Sequence, residues 1–351
     1  MSLYVELMKY YLRRLILKTD IIKTQHFTNH YEQIFGNLTQ YIPKDAILIE
    51  PFVGNGELLK LFPDHVWEKY DIDPKIECIQ QDTLNIIPEY KNKWIITNPP
   101  YLAKNKARDK QLFIKYDLDD LYKIALSTML EAEGGLIVIP FNFFTDKNSG
   151  KIRTQFLNHF KILEINVFTT PIFDTTTYSV CAFAFIKKDI GDNETIQTIN
   201  FNIFPDNIST TLEINKQYDY RLGGEILNID TKINIFNRLV QNKDIGTNTI
   251  THIYLAGLDT RTERFNLSFK EEPYYGKSTD RVYATLISSV PLTIEQEKKL
   301  IQQFNNIVND ARDKYCNLIF TNYRDYNRKR VEFNFVYSLL TKIYNDFYRE
   351  E

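Results

Sequence analysis

AILIEPFVGNGELLKLF, residues 46–62, joins a short apolar run to a glycine turn and then to a stretch of helical composition. A glycine turn that leaves a strand and opens a helix lets the backbone come close to a ligand and aims amide groups at it. The same letters also serve an ordinary strand-to-helix turn, so the neighbouring segments decide the reading. Those segments repeat one theme: VWEKYDID (66–73), WIIT (94–97), GLIVIP (135–140), ILEINVF (162–168) and YSVCAFAFI (178–186) are apolar runs separated by turns and by helical patterns such as DLYKIALSTMLEAE (120–133). Apolar strands that alternate with helices predict a mostly parallel sheet covered on both faces. Only TTPIFDTTT separates the last two runs, which predicts an antiparallel pair there.

The chain has 351 residues, more than one core usually absorbs, so two domains are expected. After Lys188 the texture changes to Asn, Ile and Thr without clean alternation, and DIGDNETIQ (189–197) reads as a linker. The expected division is therefore 1–190 and 191–351. The first part is α/β, a Rossmann-like doubly wound, mostly parallel sheet with a terminal antiparallel hairpin; the second is a smaller α+β domain. Two helices are readable near the end. One starts at Thr293, with Gln296 three residues on in a capping-box pattern, and the other covers 333–348.

The net charge is −2, and residues 196–351 hold 20 Lys and Arg against 20 Asp and Glu, so any polyanion-binding surface must be local. Three scattered cysteines with no metal-type spacing suit a reducing cytoplasm and no metal requirement. MSLYVELMKYYLRRLILK (1–18) mixes charges among its apolar residues and reads as an amphipathic helix rather than a signal peptide. No apolar run is long enough to span a membrane.

Acids stand at successive strand ends. Glu50 precedes the glycine turn, Asp71 ends the second run in YDIDP, and Asp82 follows in QDT. Taken singly, such acids are commonly solvated. At the second strand tip of an open α/β sheet, however, an acid hydrogen-bonds ribose hydroxyls, and Asp82 could accept from an adenine amino group. Three acids with no P-loop lysine suit an adenosine that carries positive charge, as S-adenosylmethionine does. The fourth run then delivers Asn98-Pro99-Pro100-Tyr101. Each proline fixes its own φ and lacks an N–H, so the corner is stiff. The Asn98 side-chain oxygen and the Pro99 carbonyl can accept both N–H groups of an exocyclic amine and make its nitrogen more nucleophilic, and the Tyr101 ring can stack on the base.

The ordered set Phe27-Thr28, EPFVGNG, YDIDP, QDT and NPPY resembles the gamma-class N6-adenine DNA methyltransferases over roughly residues 20–190. The resemblance implies a catalytic domain (1–190) followed by a target-recognition DNA-binding domain (191–351). It implies S-adenosylmethionine as cofactor, held by Thr28, Glu50, Pro51, Gly54, Gly56, Asp71, Ile72, Asp82 and Asn98. It also implies an adenine flipped from double-stranded DNA onto Asn98, Pro99, Pro100 and Tyr101, in a restriction-modification or phage-related setting. A second aromatic on the last strand would face the flipped base, with Phe185 expected there and Tyr178 its competitor, although core packing is the ordinary use of such a ring. Thr28 could equally cap a helix. A monomer is expected.

Two basic segments could meet phosphates or simply face water. KNKARDK (104–110) offers Lys104, Lys106, Arg108 and Lys110, and YRDYNRKR (323–330) offers Arg324, Arg328, Lys329 and Arg330. The aromatic loop EEPYYGKSTDR (271–281) could reach base edges. Rival readings are an RNA or protein-glutamine N-methyltransferase, since the Asn-Pro-Pro corner suits those acceptors too, and a non-catalytic nucleic-acid-binding subunit. A dinucleotide oxidoreductase would want a fuller glycine motif.

Overall fold

A computed structural model describes residues 30–173, 179–322 and 328–348. The chain forms two compact units, 1–221 and 222–351. The first is built on a nine-stranded sheet of order β3-β2-β1-β4-β5-β7-β6-β8-β9. Its strands are β1 (Ile47–Glu50), β2 (Val66–Asp71), β3 (Ile79–Gln80), β4 (Trp94–Thr97), β5 (Gly134–Pro140), β6 (Phe160–Phe168), β7 (Val180–Lys187), β8 (Ile196–Phe204) and β9 (Ile208–Asn215). β1 to β5 pair in parallel, β7 runs antiparallel between β5 and β6, β8 lies parallel on β6, and β9 closes a hairpin on β8.

Burial explains why these runs become strands. Leu48, Ile49, Ile95, Ile96 and Leu136 to Ile139 are fully buried, as expected of parallel strands covered on both sides. Alternation sends Leu48, Ile96, Leu136 and Val138 into one cluster with Ile34, Phe35 and Leu38, from the helical stretch at 31–41. On the opposite face Phe143, Phe156, Phe160, Phe183 and Phe185 form a continuous ring cluster.

The expected boundary at residue 190 moves to Arg221. The segment 189–195 is only the turn into β8, whose alternation buries Gln197, Ile199, Phe201 and Ile203. β6 presents an edge that β8 satisfies, and Glu164 and Asn166 on β6 bond to Asn202 on β8 and to Asn37. The strand order reverses between β1 and β4, and in open α/β sheets the crevice beyond the carboxyl ends of the strands at such a point is where ligands bind.

The second unit has an antiparallel sheet of order β10-β13-β11-β12, from β10 (Phe236–Arg238), β11 (Thr249–Ala256), β12 (Asn266–Phe269) and β13 (Tyr283–Ser288). The helix Ile294–Lys314 packs on β11 and β12, and the helix Phe333–Tyr348 packs on it and on β10. The first of these helices starts with the capping box read from Thr293 and Gln296. Arg312 is buried and bonds both oxygens of Asp259, at 2.8 and 2.6 Å, while the N–H groups of Phe265 and Lys329 donate to the same carboxylate. Removing one partner of such a pair strands a buried charge. Arg312→Ala is expected to cost about 3–5 kcal/mol, measured as a lowered urea midpoint at constant slope.

Candidate active site

Three strand ends of the first unit meet at the reversal point: Glu50 closes β1, Asp71 closes β2, and Asn98 directly follows β4. The glycine turn between β1 and β2 is fixed by backbone bonds, with the Val53 N–H on the Tyr70 carbonyl at 2.9 Å and the Gly56 N–H on the Val53 carbonyl at 2.8 Å. Asp71 is buried, and its carboxylate accepts from the Gly54 N–H at 2.9 Å and from the Asp73 N–H at 2.8 Å. The acid expected to meet a ribose thus also suspends the glycine turn. Gly54 has φ +53°, and a Cβ built there would meet nothing within 4 Å, so this corner borders open space. Gly56 has φ +81°, and a Cβ built there would lie 2.8 Å from the Ile76 side chain, so both its backbone and its packing ask for glycine.

Glu50 is 1 % exposed. Its Oε1 accepts from the Thr97 hydroxyl at 2.5 Å and from the Phe52 N–H at 3.0 Å. Burial pushes this carboxyl up to about 8 against the pull of those two donors, and the neighbouring Asp71 adds to the rise. Thr97, fully buried, stands immediately before Asn98, so a single hydrogen bond joins the first turn to the Asn-Pro-Pro corner. A second tie runs from the Thr83 hydroxyl to the Pro51 carbonyl at 3.0 Å and brings in the third loop. Neither threonine was singled out in the sequence. The available signal was a hydroxyl next to each motif, which is too common to be noticed.

Asn98 is half-buried, and its Oδ1 lies 2.7 Å from the Tyr101 hydroxyl, which also lies 2.8 Å from the Val138 carbonyl. The Tyr101 ring meets Tyr122 edge-on, with centroids 6.1 Å apart, and burial raises its hydroxyl well above the usual tyrosine range. The segment after the corner is clamped. Leu102 donates its N–H to Asp120 Oδ1 at 3.1 Å, Leu121 donates to the Leu102 carbonyl at 3.1 Å, and Lys104 donates to the Asp119 carbonyl at 2.8 Å. Burial lifts Asp120 to about 6. The stiff corner is therefore held on both sides.

Two expected roles, those of Phe185 and Lys329, change. Phe185 does not face the site: it is fully buried among Phe156, Phe160 and Phe183 and pairs with Gly135, while the site end of the sheet lies at the Pro140–Val180 pair. Five residues of strand separate the two, roughly 16 Å. Asp82 caps its own turn, accepting from the Leu84 and Asn85 N–H groups and from the Asn85 side chain at 2.6 Å. Pro51 is buried and Ile72 half-buried. Lys329 cannot meet a phosphate, since its side chain is 1 % exposed beside Asp259 and Arg312, where burial brings its ammonium down to about 7. Arg328 and Arg330 are half-buried, whereas Lys106, Arg108 and Lys110 are exposed and Lys104 is half-buried. Thr28, Tyr178, Arg324 and the helix expected at 1–18 lie outside the described residues. Among the described residues no cluster of three His, Cys, Asp or Glu side chains could hold a metal ion, and no helix is long and apolar enough to cross a membrane.

No family model and no curated protein matches the chain. Among solved structures, it is similar to a protein described as a modification subunit of a type I restriction enzyme from Vibrio vulnificus, at 10 % identity and a TM-score of 0.42 over 53 % of this chain and 48 % of that one. A protein described as a class I S-adenosylmethionine-dependent methyltransferase from Listeria monocytogenes gives 13 % and 0.41 over 52 % and 66 %. A type I restriction-modification methyltransferase subunit from Streptococcus thermophilus gives 16 % and 0.39 over 51 % and 47 %. Less than two thirds of each of those chains is spanned. Similarity at this level bears on neither activity nor substrate.

The buried acid makes a pH prediction. Folded Glu50 keeps its proton up to about 8, whereas an unfolded glutamate loses it near 4.5. Between those values the folded state binds the extra proton, so stability is full below the lower value and falls as pH rises, by about 1.4 kcal/mol per pH unit. Glu50→Gln is expected to flatten that decline in urea midpoints compared from pH 5 to pH 8; an unchanged slope would mean that Glu50 titrates normally.

Proposed function

We propose that this chain is an S-adenosylmethionine-dependent N-methyltransferase acting on the exocyclic N6 of adenine in duplex DNA, with residues 1–221 as the catalytic unit and 222–351 as the target-recognition unit. The observation that carries the reading is the hydrogen bond between Thr97 and Glu50, which joins a buried acid at the glycine turn to an Asn-Pro-Pro-Tyr corner one residue further on. Among the described residues no cation pairs with Glu50, so a positively charged ligand would supply the countercharge as this acid ionises. The open space beside Gly54 and the carboxylate of Asp71 suit the adenosine part of such a ligand. When bound, S-adenosylmethionine supplies an electrophilic methyl group on a sulfonium centre.

The residues of the chain then have the following tasks. Asn98 Oδ1 and the Pro99 carbonyl accept the two N–H groups of the amine, which draws the nitrogen lone pair out of conjugation and toward the methyl carbon. Bound there, S-adenosylmethionine would supply the methyl carbon and keep the electron pair of its carbon–sulfur bond on sulfur, while the amine would give up one proton to solvent. Because Tyr101 and the clamp on Leu102 already fix the corner, little reorganisation accompanies the transfer. Tyr101 would present its ring to the extruded base.

Tritiated S-adenosylmethionine, offered with duplex DNA, total RNA or a protein extract, tests the reading. Label recovered as N6-methyldeoxyadenosine supports it, and label confined to RNA or protein overturns the DNA assignment. Asn98→Ala is expected to abolish transfer while cofactor affinity stays within about threefold. Affinity for S-adenosylmethionine in the wild type is expected to tighten between pH 6 and pH 8 as Glu50 ionises, with proton release seen by calorimetry in buffers of different ionisation heat. Glu50→Gln should show neither effect.

A further inference from the structure

The second unit carries a rigid aromatic surface on the β11–β13 side of its sheet. Tyr254 on β11 and Tyr283 on β13 stack with centroids 6.4 Å apart and planes within 11°, and Lys270 Nζ sits 3.5 Å from the Tyr254 ring centroid. Tyr274 meets Tyr254 edge-on at 6.2 Å. Over these rings runs the loop between β12 and β13. Its backbone is held from every side: the Tyr274 N–H donates to the Thr285 hydroxyl at 2.7 Å, the Gln241 N–H to the Gly276 carbonyl at 2.8 Å, and Arg238 to the carbonyls of Ser278 and Asp280. Within the loop, Asp280 Oδ2 accepts from the Tyr274 hydroxyl and from the Lys277 N–H, both at 2.8 Å.

One ring is left out of this scaffold. Tyr275 is 54 % exposed at the loop tip and has neither ring contact nor hydrogen bond among the described residues. Lys277 and Arg281 are exposed on the same loop. Glu271 and Glu272 are exposed as well, but Asp280 is engaged by the loop's own donors, and Lys270 and Arg238 flank the loop. A fixed loop that displays a large apolar ring loses little freedom when it meets a partner. An exposed aromatic on a loop that also exposes Lys277 and Arg281 matches a polyanion that carries stacked bases, since the ring can meet base faces or edges while those two cations meet phosphates.

We propose that the loop 271–281 is a DNA-contacting element of the second unit, with Tyr275 set against a base or sugar and Lys277 and Arg281 set against phosphates. The assignment rests on the functional reading above and names the surface that reading lacks. Tyr275→Ala is expected to lower the methylation efficiency kcat/KM for duplex DNA about tenfold, the scale of one lost aromatic–base contact. Tyr275→Phe should retain most of it, and cofactor affinity by calorimetry should not move. Lys277→Ala and Arg281→Ala should each weaken binding of a labelled random-sequence duplex and reduce the salt dependence of log K by about one.

The outcomes separate. If the wild type methylates DNA and Tyr275→Ala, Lys277→Ala and Arg281→Ala all behave like it, the loop assignment is wrong and the functional reading stands. Should the wild type bind S-adenosylmethionine yet neither bind nor methylate DNA, the functional reading falls and takes the loop's partner with it. Loss of RNA binding in these variants, with DNA untouched, would reassign the surface to RNA.

Discussion

One short hydrogen bond between the hydroxyl of Thr97 and the carboxyl of Glu50 fixes the centre of the candidate site in the first unit. It crosses from β4 to β1, the pair of neighbouring strands at which the order of the sheet reverses. Backbone pairing would keep those strands adjacent in any case. The side-chain bond fixes what emerges from their ends, a glycine turn on one and a double-proline corner on the other. Since the acid is buried, its bond to the hydroxyl is not diluted by water, and neither loop can shift without exposing an unsatisfied polar atom.

Around that bond the same economy recurs. Asp71 at the end of β2 orients the glycine turn, and Thr83 ties a third loop to the first through the Pro51 carbonyl. Asp120 holds the chain just beyond the prolines. Polar side chains that could each be read as ligand contacts are therefore structural members as well. The site is stiff before any ligand arrives, which suits chemistry that depends on placing two acceptor oxygens correctly.

Much of the sheet was legible because its central strands are buried on both faces and therefore read as unbroken apolar runs. The runs at 46–50, 94–97 and 135–140 fall within a residue of β1, β4 and β5. The pair β6 and β7 was found as antiparallel for want of chain to cross over, and both C-terminal helices showed their period. β8 and β9 escaped because they are hairpin strands at the sheet edge, rich in Asn and Thr, whose alternation looks like linker composition. For the site, strand ends could be read but side-chain direction could not. Phe185 shares a strand with residues at the site end, and only the register with β5 reveals that it lies at the wrong end. Lys329 sits in a charge run, yet Asp259 and Arg312, which surround it, come from distant segments that no local pattern connects to it.

The hook from Asp71 to the Gly54 amide has a bearing on ancestry. A related chain that bound nothing here would still need this carboxylate to keep the loop from sagging, so selection would go on preserving it. The persistence of an aspartate at this position among cousins would then testify to a shared architecture and remain mute about whether each of them still handles the same small molecule.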